Sequence, residues 1–585
     1  MLLNRAKETG TLNDRLVLGI WDGHDAGAAL LAGEEILFAV NEERLTRRKL
    51  EVGFPRLSIE ACLQYAGITA GEVKTVAAST TDPAKTLTRL FPSLKEEYYL
   101  IRRRKKAPRR TDPFKKAFKY RFTELPPNFL SRLLSRAYLE RQLQALGCDD
   151  FHLELVDHHA AHAAAAAAGS GFADCLVFTL DGVGDGLSGS FWTWREGKMS
   201  LLQPLSARTS LGIFFEHVTN LMNMRELEDE GKVMALANYA YPVPDEENPM
   251  FQIIGTKGLE IVSPYNSRSM FRELKSIIWR YPSEQFAFMA QQALEKNCLL
   301  LAAEALKRTG LRKLAVAGGV FSNIKMNMRL LEMPGLDRIY VFPHMGDGGL
   351  ALGAAMEVNR RRHNVTACRL ADLYLGPGYK PEDIVKIVAA AGIFSYRRLE
   401  DPAAEAARLI LEGEIILWFQ GRAEIGPRSL GHRSILARPD DDKIKDRLNL
   451  LLKKRVWYQP FCPSMLSEDA PALLETGGQE LADNRFMTMG FRVRPERLAL
   501  MAGVINIDGT CRPHFVGAEE PRYRELLRHI KKALGFGVVL NTSFNLHGEP
   551  MVCAPGEALE MLKRAEIRYL FMEDLLIEIK RTEPR

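Results

Sequence analysis

Two histidines and two aspartates have the residue types and the spacing of a metal site. The run DHHAAHAAAAAA is rich in alanine and predicts a helix, so His158 and His162 lie four residues apart on one face, close enough to share an ion. Asp181 ends a predicted strand, and Asp347 follows a later strand in a glycine-rich turn. This donor set suits Fe(II), Mn(II) or Zn(II). A structural or incidental histidine pair is the alternative, and we interpret His159 as a neighbour of the site or a substrate contact.

A further histidine, His24, lies in a turn rich in glycine and aspartate after the first predicted strand. A histidine with a pKa near neutrality can act as a general base towards a hydroxyl group. A turn histidine without a catalytic role is the alternative. We therefore treat His24 as a candidate base.

The last third of the chain carries basic and polar motifs that are typical of an anion site. The segment GRAEIGPRSLGHRSILARP holds Arg428 and Arg433 in a loop shaped by glycine and proline. Lys453 and Arg455 follow, and a later predicted strand runs into NTSFNLHGEP. Guanidinium forks with hydroxyl and amide groups can clamp phosphate and carbonyl oxygens. The glycines and prolines could also reflect turn chemistry alone.

Glycine-rich junctions between strands and helices predict a place for phosphate groups. KLAVAGGV reads as a buried strand that ends in the turn at Gly318 and Gly319, and a helix follows. At a second junction, the strand DRIYVFP leads into HMGDGG, which opens another helix. Backbone N–H groups at such junctions can bind phosphate.

Two similar segments predict two similar α/β lobes that face each other. Residues 16–40 and 176–202 each read as strand, turn, strand, turn, strand, and Asp-Gly closes the first strand of each. Two unrelated meanders are the alternative. Glycine and proline punctuation then marks a boundary. We predict a first domain over residues 1–375, a linker over 376–402 and a second α/β domain over 403–585.

The composition is that of an ordinary folded protein. Of the 585 residues, 46% are hydrophobic and 26% are charged, which argues against a disordered chain, collagen or a coiled coil. No apolar run approaches the roughly 18 residues of a membrane span, and the N-terminus lacks the apolar core of a secretory signal. The eight cysteines are scattered and form no CxxC pair, which predicts reduced thiols and a cytoplasmic protein.

The net charge of +6 comes from one segment. Residues 102–121 hold eleven Lys and Arg against one Asp, so the rest of the chain sums to −4. A solvated basic face, an anionic substrate, a membrane surface and nucleic acid remain open as explanations. Aromatic residues are sparse in the segment, which does not suggest a base-stacking surface. We predict an insertion near the entrance for the acceptor substrate.

Ten segments, in order along almost the whole chain, resemble the O-carbamoyltransferase family of the NodU and the cephalosporin and tobramycin carbamoyltransferase type. They are HDAGAAL, NEERLTRRK…GFP, HHAAHAAAA, LDGVGDG, EGKVMALA, AGGVFSN, GDGGLALGAA, IGPRSLGHRSILA, QPFCPS and LNTSFNLHGEP. The resemblance implies a duplicated actin-like ATPase (ASKHA) domain followed by a YrdC-like α/β domain. It also implies ATP-dependent transfer of a carbamoyl group from carbamoyl phosphate to an acceptor hydroxyl through carbamoyl-adenylate.

The same resemblance implies roles for individual residues. His158, His162, Asp181 and Asp347 match a divalent metal site, with Fe(II) as the metal, and His24 matches a catalytic histidine. The residues implied to bind carbamoyl phosphate or the intermediate are Lys49, Arg428, Arg433, Lys453, Arg455, Arg512, Asn541, Ser543 and Asn545. Those implied to bind the nucleotide are Gly318, Gly319, Asn323 and Gly346.

The chain departs from the family pattern in its second domain. The family usually reads K-x-R-E-x-[FY]-R-P-F-A-P where this chain has KKRVWYQPFCP, so Val456 replaces an acid, Gln459 an arginine and Cys462 an alanine. His514 stands where glutamine is common. These changes predict altered contacts with carbamoyl phosphate and leave the metal set intact.

The expected partner is a small-molecule or glycan acceptor with a hydroxyl group, and ATP and carbamoyl phosphate are expected as co-substrates. We expect no membrane span and no nucleic acid, and a homodimer is left open. One alternative is another nucleotide-dependent acyl or phosphoryl transferase of the actin-like superfamily. The other is carbamoylation of the tRNA-modification type, with residues 102–121 binding the nucleic acid.

Overall fold

The computed structural model describes residues 15–106, 122–476 and 480–580. The chain forms two compact units. The first comprises the residues up to Glu42 and those from Leu50 to Leu370. The second comprises Glu43–Lys49 and the residues from Ala371 onwards.

The first unit opens with a five-stranded sheet. Its strands are β1 (Leu16–Trp21), β2 (Gly27–Ala32), β3 (Glu35–Asn41), β4 (Thr75–Ser79) and β5 (His152–Val156). They lie in the order β3-β2-β1-β4-β5, with β2 antiparallel to β1 and β3 and with β4 parallel to β1 and β5. Every residue of β1 is buried, as is typical of a strand that is covered on both faces.

A second sheet of the first unit repeats this topology. The strands from residue 174 to 341 are β6 (Asp174–Gly184), β7 (Leu187–Arg195), β8 (Lys198–Ser206), β9 (Gly255–Lys257), β10 (Glu260–Val262), β11 (Lys313–Ala317) and β12 (Arg338–Val341). β9 and β10 pair with each other, and the rest form a sheet in the order β12-β11-β6-β7-β8. β7 is antiparallel to β6 and β8, while β11 is parallel to β6 and β12. The repeat predicted from the sequence is therefore confirmed, and the fold is a duplicated actin-like (ASKHA) α/β fold.

Helices follow and connect these strands. In chain order they are α1 (Glu42–Thr46), α2 (Arg56–Ala66), α3 (Pro83–Leu90), α4 (Pro92–Arg102), α5 (Phe129–Gln144), α6 (His158–Ser170), α7 (Leu211–Leu221), α8 (Glu230–Leu236), α9 (Met250–Ile253), α10 (Ser267–Ile278), α11 (Ser283–Thr309), α12 (Ile324–Leu331) and α13 (Leu350–His363). α6 contains the alanine run and begins at the first of its histidines, as the sequence predicts.

Small residues let α6, α13 and β1 pack closely. A Cβ atom at Gly353 of α13 would lie 2.2 Å from the carbonyl oxygen of Ala161 in α6. A Cβ atom at Gly19 of β1 would lie 1.9 Å from the carbonyl oxygen of Ala351 in α13. Since alanine is the smallest side chain that still favours a helix, the run serves this close approach. The packing holds the first turn of α6 in place.

We expect Gly353→Ala to lower the free energy of unfolding by about 1–3 kcal/mol, because the added methyl group would overlap the carbonyl of Ala161. Denaturant unfolding followed by circular dichroism measures the change. Gly231→Ala on α8 is the matched control, since a Cβ atom there meets nothing within 4 Å. The control should be neutral or stabilising by up to about 1 kcal/mol. Equal effects of the two substitutions would contradict the role given to Gly353.

The second unit is built on an eight-stranded sheet. The strands of the whole unit are β13 (Phe394–Arg398), β14 (Ile416–Phe419), β15 (Arg433–Ala437), β16 (Cys462–Leu466), β17 (Phe491–Arg492), β18 (Thr510–Cys511), β19 (His514–Val516), β20 (Val538–Ser543), β21 (Tyr569–Met572) and β22 (Leu575–Ile579). β17 pairs with β18, and the others lie in the order β13-β22-β21-β14-β15-β20-β16-β19. The sheet is mixed, with antiparallel pairs on both sides of β15 and β20.

The helices of the second unit are α14 (Pro381–Ala390), α15 (Pro402–Leu411), α16 (Asp442–Asp446), α17 (Ala470–Leu473), α18 (Pro521–Leu534) and α19 (Pro555–Arg564), and a π-helical turn spans Arg447–Leu452. α15 and α18 share an apolar core with the sheet. This is the separate C-terminal α/β unit that was expected, and its likeness to YrdC domains stays a prediction. In the described part of the chain, no helix is long and apolar enough to cross a membrane.

The domain boundaries differ from the prediction in two places. Residues 376–402, predicted as a linker, contain α14 and β13, which pairs with β22 in the eight-stranded sheet. The punctuation marks the ends of short elements, since Pro381 begins α14 and Gly392, with a φ of 71°, follows it. Residues 43–49, predicted in the first domain, belong to the second unit.

Candidate active site

The structure brings the four predicted metal-type residues together in the first unit. His158 and His162 lie in the first turns of α6, Asp181 lies in β6, and Asp347 lies in the turn before α13. Their donor atoms all lie within 4.8 Å of one another. The Nε2 atoms of His158 and His162 lie 3.5 and 3.3 Å from Oδ2 of Asp181, and each lies 3.7 Å from Oδ1 of Asp347.

The donor set fits a divalent metal ion. Nε2 of His158, Nε2 of His162 and Oδ2 of Asp181 are buried and have no hydrogen-bond partner among the described residues. Buried polar atoms are rarely left in this state, because desolvation costs free energy unless a partner compensates. Two imidazoles with two carboxylates suit Fe(II), Mn(II) or Zn(II). An ion bound by these residues would satisfy all three atoms at once.

Neighbouring groups hold the histidines in position. Thr80 Oγ1 lies 2.9 Å from Nδ1 of His158, which leaves Nε2 directed at the aspartates. Asp185 accepts hydrogen bonds from the backbone N–H groups of His158, Thr81 and Asp82, at 2.8, 2.8 and 2.9 Å. A Cβ atom at Gly184 would lie 2.2 Å from the His158 ring, so this position requires glycine. The LDGVGDG motif therefore shapes the site as well as supplying Asp181.

Charge in the cluster favours a cation. Burial opposes protonation of His158, but the carboxylates of Asp347 and Asp181 outweigh it and raise its pKa to about 9. Burial also opposes ionisation of Asp181, yet the two imidazoles hold its pKa well below the usual range. The surroundings thus stabilise positive charge between the carboxylates, and a metal would displace protons on binding.

His159, interpreted from the sequence as a neighbour of the site or a substrate contact, has a structural role. Its Nδ1 lies 3.0 Å from Thr179 Oγ1, and its Nε2 lies 3.2 Å from the carbonyl oxygen of Leu187. Burial first, and then the two flanking histidines, lower its pKa well below the usual value. His159 therefore joins α6 to the second sheet.

His24 lies beside the cluster. Its Nδ1 lies 3.5 Å from Oδ2 of Asp347 and 3.3 Å from the hydroxyl of Tyr99. The Asp347 carboxylate favours the tautomer with hydrogen on Nδ1, which leaves the lone pair on Nε2. Burial raises the pKa of Tyr99, so its hydroxyl stays neutral. This geometry suits a base, and Tyr99, which the sequence did not single out, helps to orient it.

The two Asp-Gly turns of the repeat have diverged. Asp181 contributes to the metal-type cluster, whereas Asp22, at the end of β1, is neutralised by two cations. Lys85 Nζ lies 2.6 Å from Asp22 Oδ1, and Arg89 donates to both carboxylate oxygens at 2.8 and 3.0 Å. The sequence repeat gave no sign of this difference, because the two basic residues come from the later helix α3.

A cavity of about 130 Å³ adjoins the cluster in the first unit. Its walls include three of the metal-type residues, His158, Asp181 and Asp347, together with His24 and side chains that the sequence did not reveal, namely Trp21, Lys85, Tyr98, Tyr99, Arg102 and Glu216. Arg102 is paired with Glu216 and donates to Glu226 Oε2 at 2.5 Å. Only residues 102–106 of the predicted basic insertion are described, and the rest lies outside the described residues.

The glycines predicted to bind nucleotide lie next to the cluster. Gly318 has a φ of 110°, and a Cβ atom there would lie 2.2 Å from the Leu180 carbonyl oxygen. Gly319 is so close to Asp181 that its Cβ would lie 3.0 Å from Oδ1. Gly346 directly precedes Asp347. Gly318 and Gly319 therefore let their turn approach the cluster, whereas a Cβ atom at Gly346 would meet nothing within 4 Å.

Asn323, also predicted to bind nucleotide, caps a helix. Its Oδ1 accepts from the backbone N–H of Met326 at 3.1 Å. Its side-chain amide exchanges hydrogen bonds of 2.8 and 3.0 Å with that of Gln291. Both groups are buried. The structure thus uses Asn323 to begin α12, because asparagine is a favourable N-cap.

Three arginines form a cluster in the second unit. Arg512 donates to Sγ of Cys462 from Nε at 3.2 Å and from Nη2 at 2.9 Å. Burial first, and then repulsion from Arg512, lower the pKa of Arg428 to about 9. Burial also lowers the pKa of Arg455 to about 10, with a further contribution from Arg512. We refer to Arg428, Arg455 and Arg512 as the arginine cluster.

The arginine cluster has the character of an anion site. Nε of Arg428 and Nη2 of Arg455 are buried without a hydrogen-bond partner among the described residues. Arg455 donates from Nε to Asn449 Oδ1 at 2.6 Å, which directs the fork. Buried cations without a counter-charge cost desolvation free energy. An anionic ligand bound among these arginines would offset that cost.

Lys453, Ser543 and Asn545 form a connected polar group at the end of strand β20, and Asn541 lies in the same strand with other partners. Lys453 Nζ donates to the carbonyl oxygens of Ser543 and Asn545 at 2.5 and 2.8 Å, and to Asn545 Oδ1 at 2.9 Å. Burial lowers its pKa well below the usual value, with Arg455 and Lys49 adding to the effect. Asn541 donates to the carbonyl of Ser429, the neighbour of Arg428, at 3.0 Å.

Arg433 does not join the arginine cluster. It is fully buried, and its guanidinium stacks 3.6 Å from the Phe419 ring. It donates to the carbonyl oxygens of Gln420 and Gly421 at 2.5 and 3.1 Å. Backbone carbonyls thus occupy both Nη atoms of Arg433 and tie it to the loop, while its Nε is buried without a partner among the described residues. Binding of carbamoyl phosphate by Arg433 stays a prediction.

Two family profiles match most of the chain. A profile described as Carbamoyltransferase N-terminus matches residues 16–356. A profile described as Carbamoyltransferase C-terminus matches residues 407–579. The first match contains both sheets of the first unit and the metal-type residues, and the second contains the arginine cluster.

Relatives are similar over nearly the whole chain. The nodulation protein NolNO of Sinorhizobium fredii is 31% identical over 96% of this chain and 80% of its own. The uncharacterized protein sll1178 of Synechocystis sp. is 31% identical over 95% of each chain. Among solved structures, component A of the (R)-2-hydroxyglutaryl-CoA dehydratase of Acidaminococcus fermentans has 13% identity, covers 59% of this chain and 98% of its own, and has a TM-score of 0.34. That likeness adds nothing to what the sheet topology shows.

Proposed function

The chain belongs to the carbamoyltransferase family, and from this premise we propose its reaction. The protein would transfer a carbamoyl group from carbamoyl phosphate to the hydroxyl of a small-molecule or glycan acceptor. It would use ATP and form carbamoyl-adenylate as the intermediate. The observation that carries the proposal is the donor set of His158, His162, Asp181 and Asp347, with His24 3.5 Å from Asp347 in one cavity.

The chemistry explains why ATP is needed. Hydrolysis of carbamoyl phosphate would release inorganic phosphate and leave carbamate, which is a poor electrophile. A carbamate oxygen would then attack the α-phosphate of ATP and expel pyrophosphate, so that AMP becomes the leaving group when the acceptor hydroxyl attacks the carbamoyl carbon. The bound metal, proposed as Fe(II), would supply a Lewis acid that offsets phosphate charge. The backbone N–H groups of the turns at Gly319 and Gly346 would bind nucleotide phosphates, while that of Gly318 donates to the carbonyl oxygen of Met345 at 2.7 Å and so joins the two turns. His24 would take the proton of the acceptor hydroxyl on Nε2.

The arginine cluster would bind the donor. Carbamoyl phosphate carries negative charge on its phosphate group, and guanidinium forks bind such groups through paired hydrogen bonds. Lys453, whose pKa is lowered by burial, Arg455 and Lys49, would hold the backbone of Ser543 and Asn545 in place through its hydrogen bonds. Ser543 and Asn545 would fix the position of Lys453, which they contact. Burial of the cluster would help to keep water from a labile intermediate.

The test is ATP turnover by anaerobically purified protein, with and without carbamoyl phosphate. Release of pyrophosphate and AMP that requires carbamoyl phosphate supports the proposal. Turnover indifferent to carbamoyl phosphate would overturn it and favour another acyl or phosphoryl transferase of the actin-like superfamily. Two departures from the family motif in KKRVWYQPFCP, Val456 and Gln459, motivate that second candidate. In addition, Oε1 of Gln459 is buried without a partner among the described residues.

We expect Tyr99→Phe to lower kcat about tenfold, with little change in the KM for ATP, because His24 loses an orienting hydrogen bond of 3.3 Å. The split between kcat and KM separates lost orientation of His24 from a structural change, which would alter both constants. Tyr98→Phe is the matched control, since Tyr98 also lines the cavity and stacks edge-on against Tyr99. A larger effect of the control than of Tyr99→Phe would contradict the role of Tyr99.

A further inference from the structure

A thiol lies inside the arginine cluster. Cys462, the first residue of β16, accepts two hydrogen bonds from the Arg512 guanidinium, at 3.2 and 2.9 Å. Arg428 and Arg455 are close enough for the sulfur to influence both electrostatically. Because the guanidinium is a charged donor, these two hydrogen bonds hold the sulfur among cationic side chains.

The other seven cysteines lie in different surroundings. Cys462 keeps 6% of its surface exposed, while each of the others keeps 2% or less. Burial raises the pKa of all seven of the others, which are Cys62, Cys148, Cys175, Cys298, Cys368, Cys511 and Cys553. Thiols in apolar surroundings stay protonated and are inert. Geometry and exposure thus separate Cys462 from the rest.

The sulfur and an anionic ligand would compete for the same donors. In the described part of the chain, the guanidinium of Arg512 has Cys462 as its side-chain partner, and neither Arg428 nor Arg455 is paired with a carboxylate. Nε of Arg428 and Nη2 of Arg455 are buried without partners there and remain available for an anion. An oxyanion covalently attached to the sulfur would meet these donors.

We propose that Cys462 is an oxidation site built into the arginine cluster, where peroxide converts it to a sulfenic acid that excludes a phosphate-type anion. The sulfur attacks one peroxide oxygen, an S–O bond forms as the O–O bond breaks, and the leaving hydroxide takes a proton to become water. The sulfur is oxidised by two electrons and the peroxide is reduced. The inference rests on the proposed function only for the identity of the anion.

The experiment uses the full chain and quantitative mass spectrometry. Reduced protein is treated with limiting hydrogen peroxide, sulfenic acid is trapped with a dimedone-type reagent, and labelling of every cysteine peptide is followed over time. We expect Cys462 to label at least about tenfold faster than the other seven. Inorganic phosphate should slow its labelling, and Arg512→Gln should slow it in the absence of phosphate. Arg524→Gln, which removes a guanidinium paired with Glu468, is the matched control and should leave labelling unchanged.

The labelling rates of Cys462, with and without phosphate, either support or overturn the proposal. Cys462 labelling no faster than the buried cysteines would overturn the proposal, and so would rapid labelling that phosphate does not slow. Fast labelling that phosphate blocks would support it even if carbamoyl phosphate failed to stimulate ATP turnover, because that failure concerns the donor and not the thiol. The wild-type labelling series needs no variant, so a misfolded Arg512→Gln protein would not leave the question open.

Discussion

Replacing His162 by alanine is expected to abolish binding of the proposed metal ion and to lower turnover by roughly a thousandfold or more, because one of four donors is lost and the proposed Lewis acid is lost with it. His162 is 2% exposed, and its Nε2 lies 3.3 and 3.7 Å from the two carboxylates. No other described side chain stands in the set to take its place. Metal content by elemental analysis and turnover on the same preparation measure the result.

His159→Gln is the matched control, because His159 lies on the same helix and is equally buried but contacts Thr179 and Leu187. It should lower stability while metal content per folded protein stays close to that of the wild type. Retention of metal and activity in the His162→Ala protein would contradict the metal role. Loss of metal in both variants would show that the metal depends on the helix and not on this ligand.

Arg428→Gln is expected to raise the KM for carbamoyl phosphate by about 10- to 100-fold with a smaller change in kcat, because a charge-assisted hydrogen bond is worth about 1.5–3 kcal/mol. The same change should stabilise the folded protein. Burial and Arg512 lower the Arg428 pKa to about 9, so the folded state carries this charge at a cost. We expect a melting temperature higher by roughly 2–4 °C, the shift that about 1 kcal/mol gives in a domain of this size.

Steady-state kinetics with varied carbamoyl phosphate and a thermal melt check the two parts. Arg524→Gln is the matched control, since Arg524 is a half-buried arginine of the same unit that pairs with Glu468 at 2.7 Å. It should leave the KM unchanged and gain no stability. An unchanged KM in Arg428→Gln would contradict the donor role of the arginine cluster, whatever the effect on stability.

The sequence predicts features that depend on local pattern. The duplicated lobes followed from two similar runs of alternating strands and turns, and both sheets have the same order. His158 and His162 follow from helical spacing, and Asp181 and Asp347 from strand ends that meet at one place. In each case a short segment fixes its own conformation, and the ends of parallel strands lie at one edge of a sheet.

Features that depend on distant packing could not be predicted. Arg433 and Arg428 lie in the same motif, but only the structure shows that backbone carbonyls accept hydrogen bonds from both Nη atoms of Arg433. Lys85, in α3, forms an ion pair with Asp22 at the end of β1. Tyr99, in α4, contacts His24 in the turn that follows β1. Such contacts are set by how elements pack and not by local residue spacing.

The segment at residues 43–49 gives a further example. Arg44 donates to the Gly426 carbonyl at 2.9 Å, and Arg47 donates to those of Pro550 and Met551 at 2.9 and 2.5 Å. These bonds fix the segment within the second unit. The segment lies in the family-like motif NEERLTRRK…GFP, but the residues that it contacts lie about 400 to 500 positions away in the chain.

The most direct test of the proposed reaction supplies the metal-loaded protein with ATP and isotopically labelled carbamoyl phosphate, without an acceptor, and follows the products by mass spectrometry. We predict pyrophosphate together with an adenylate that carries the labelled carbamoyl group, and none of it with His162→Ala. Hydrolysis of ATP to ADP and phosphate, with no label on any adenylate, would contradict the proposal that this chain activates a carbamoyl group on the nucleotide.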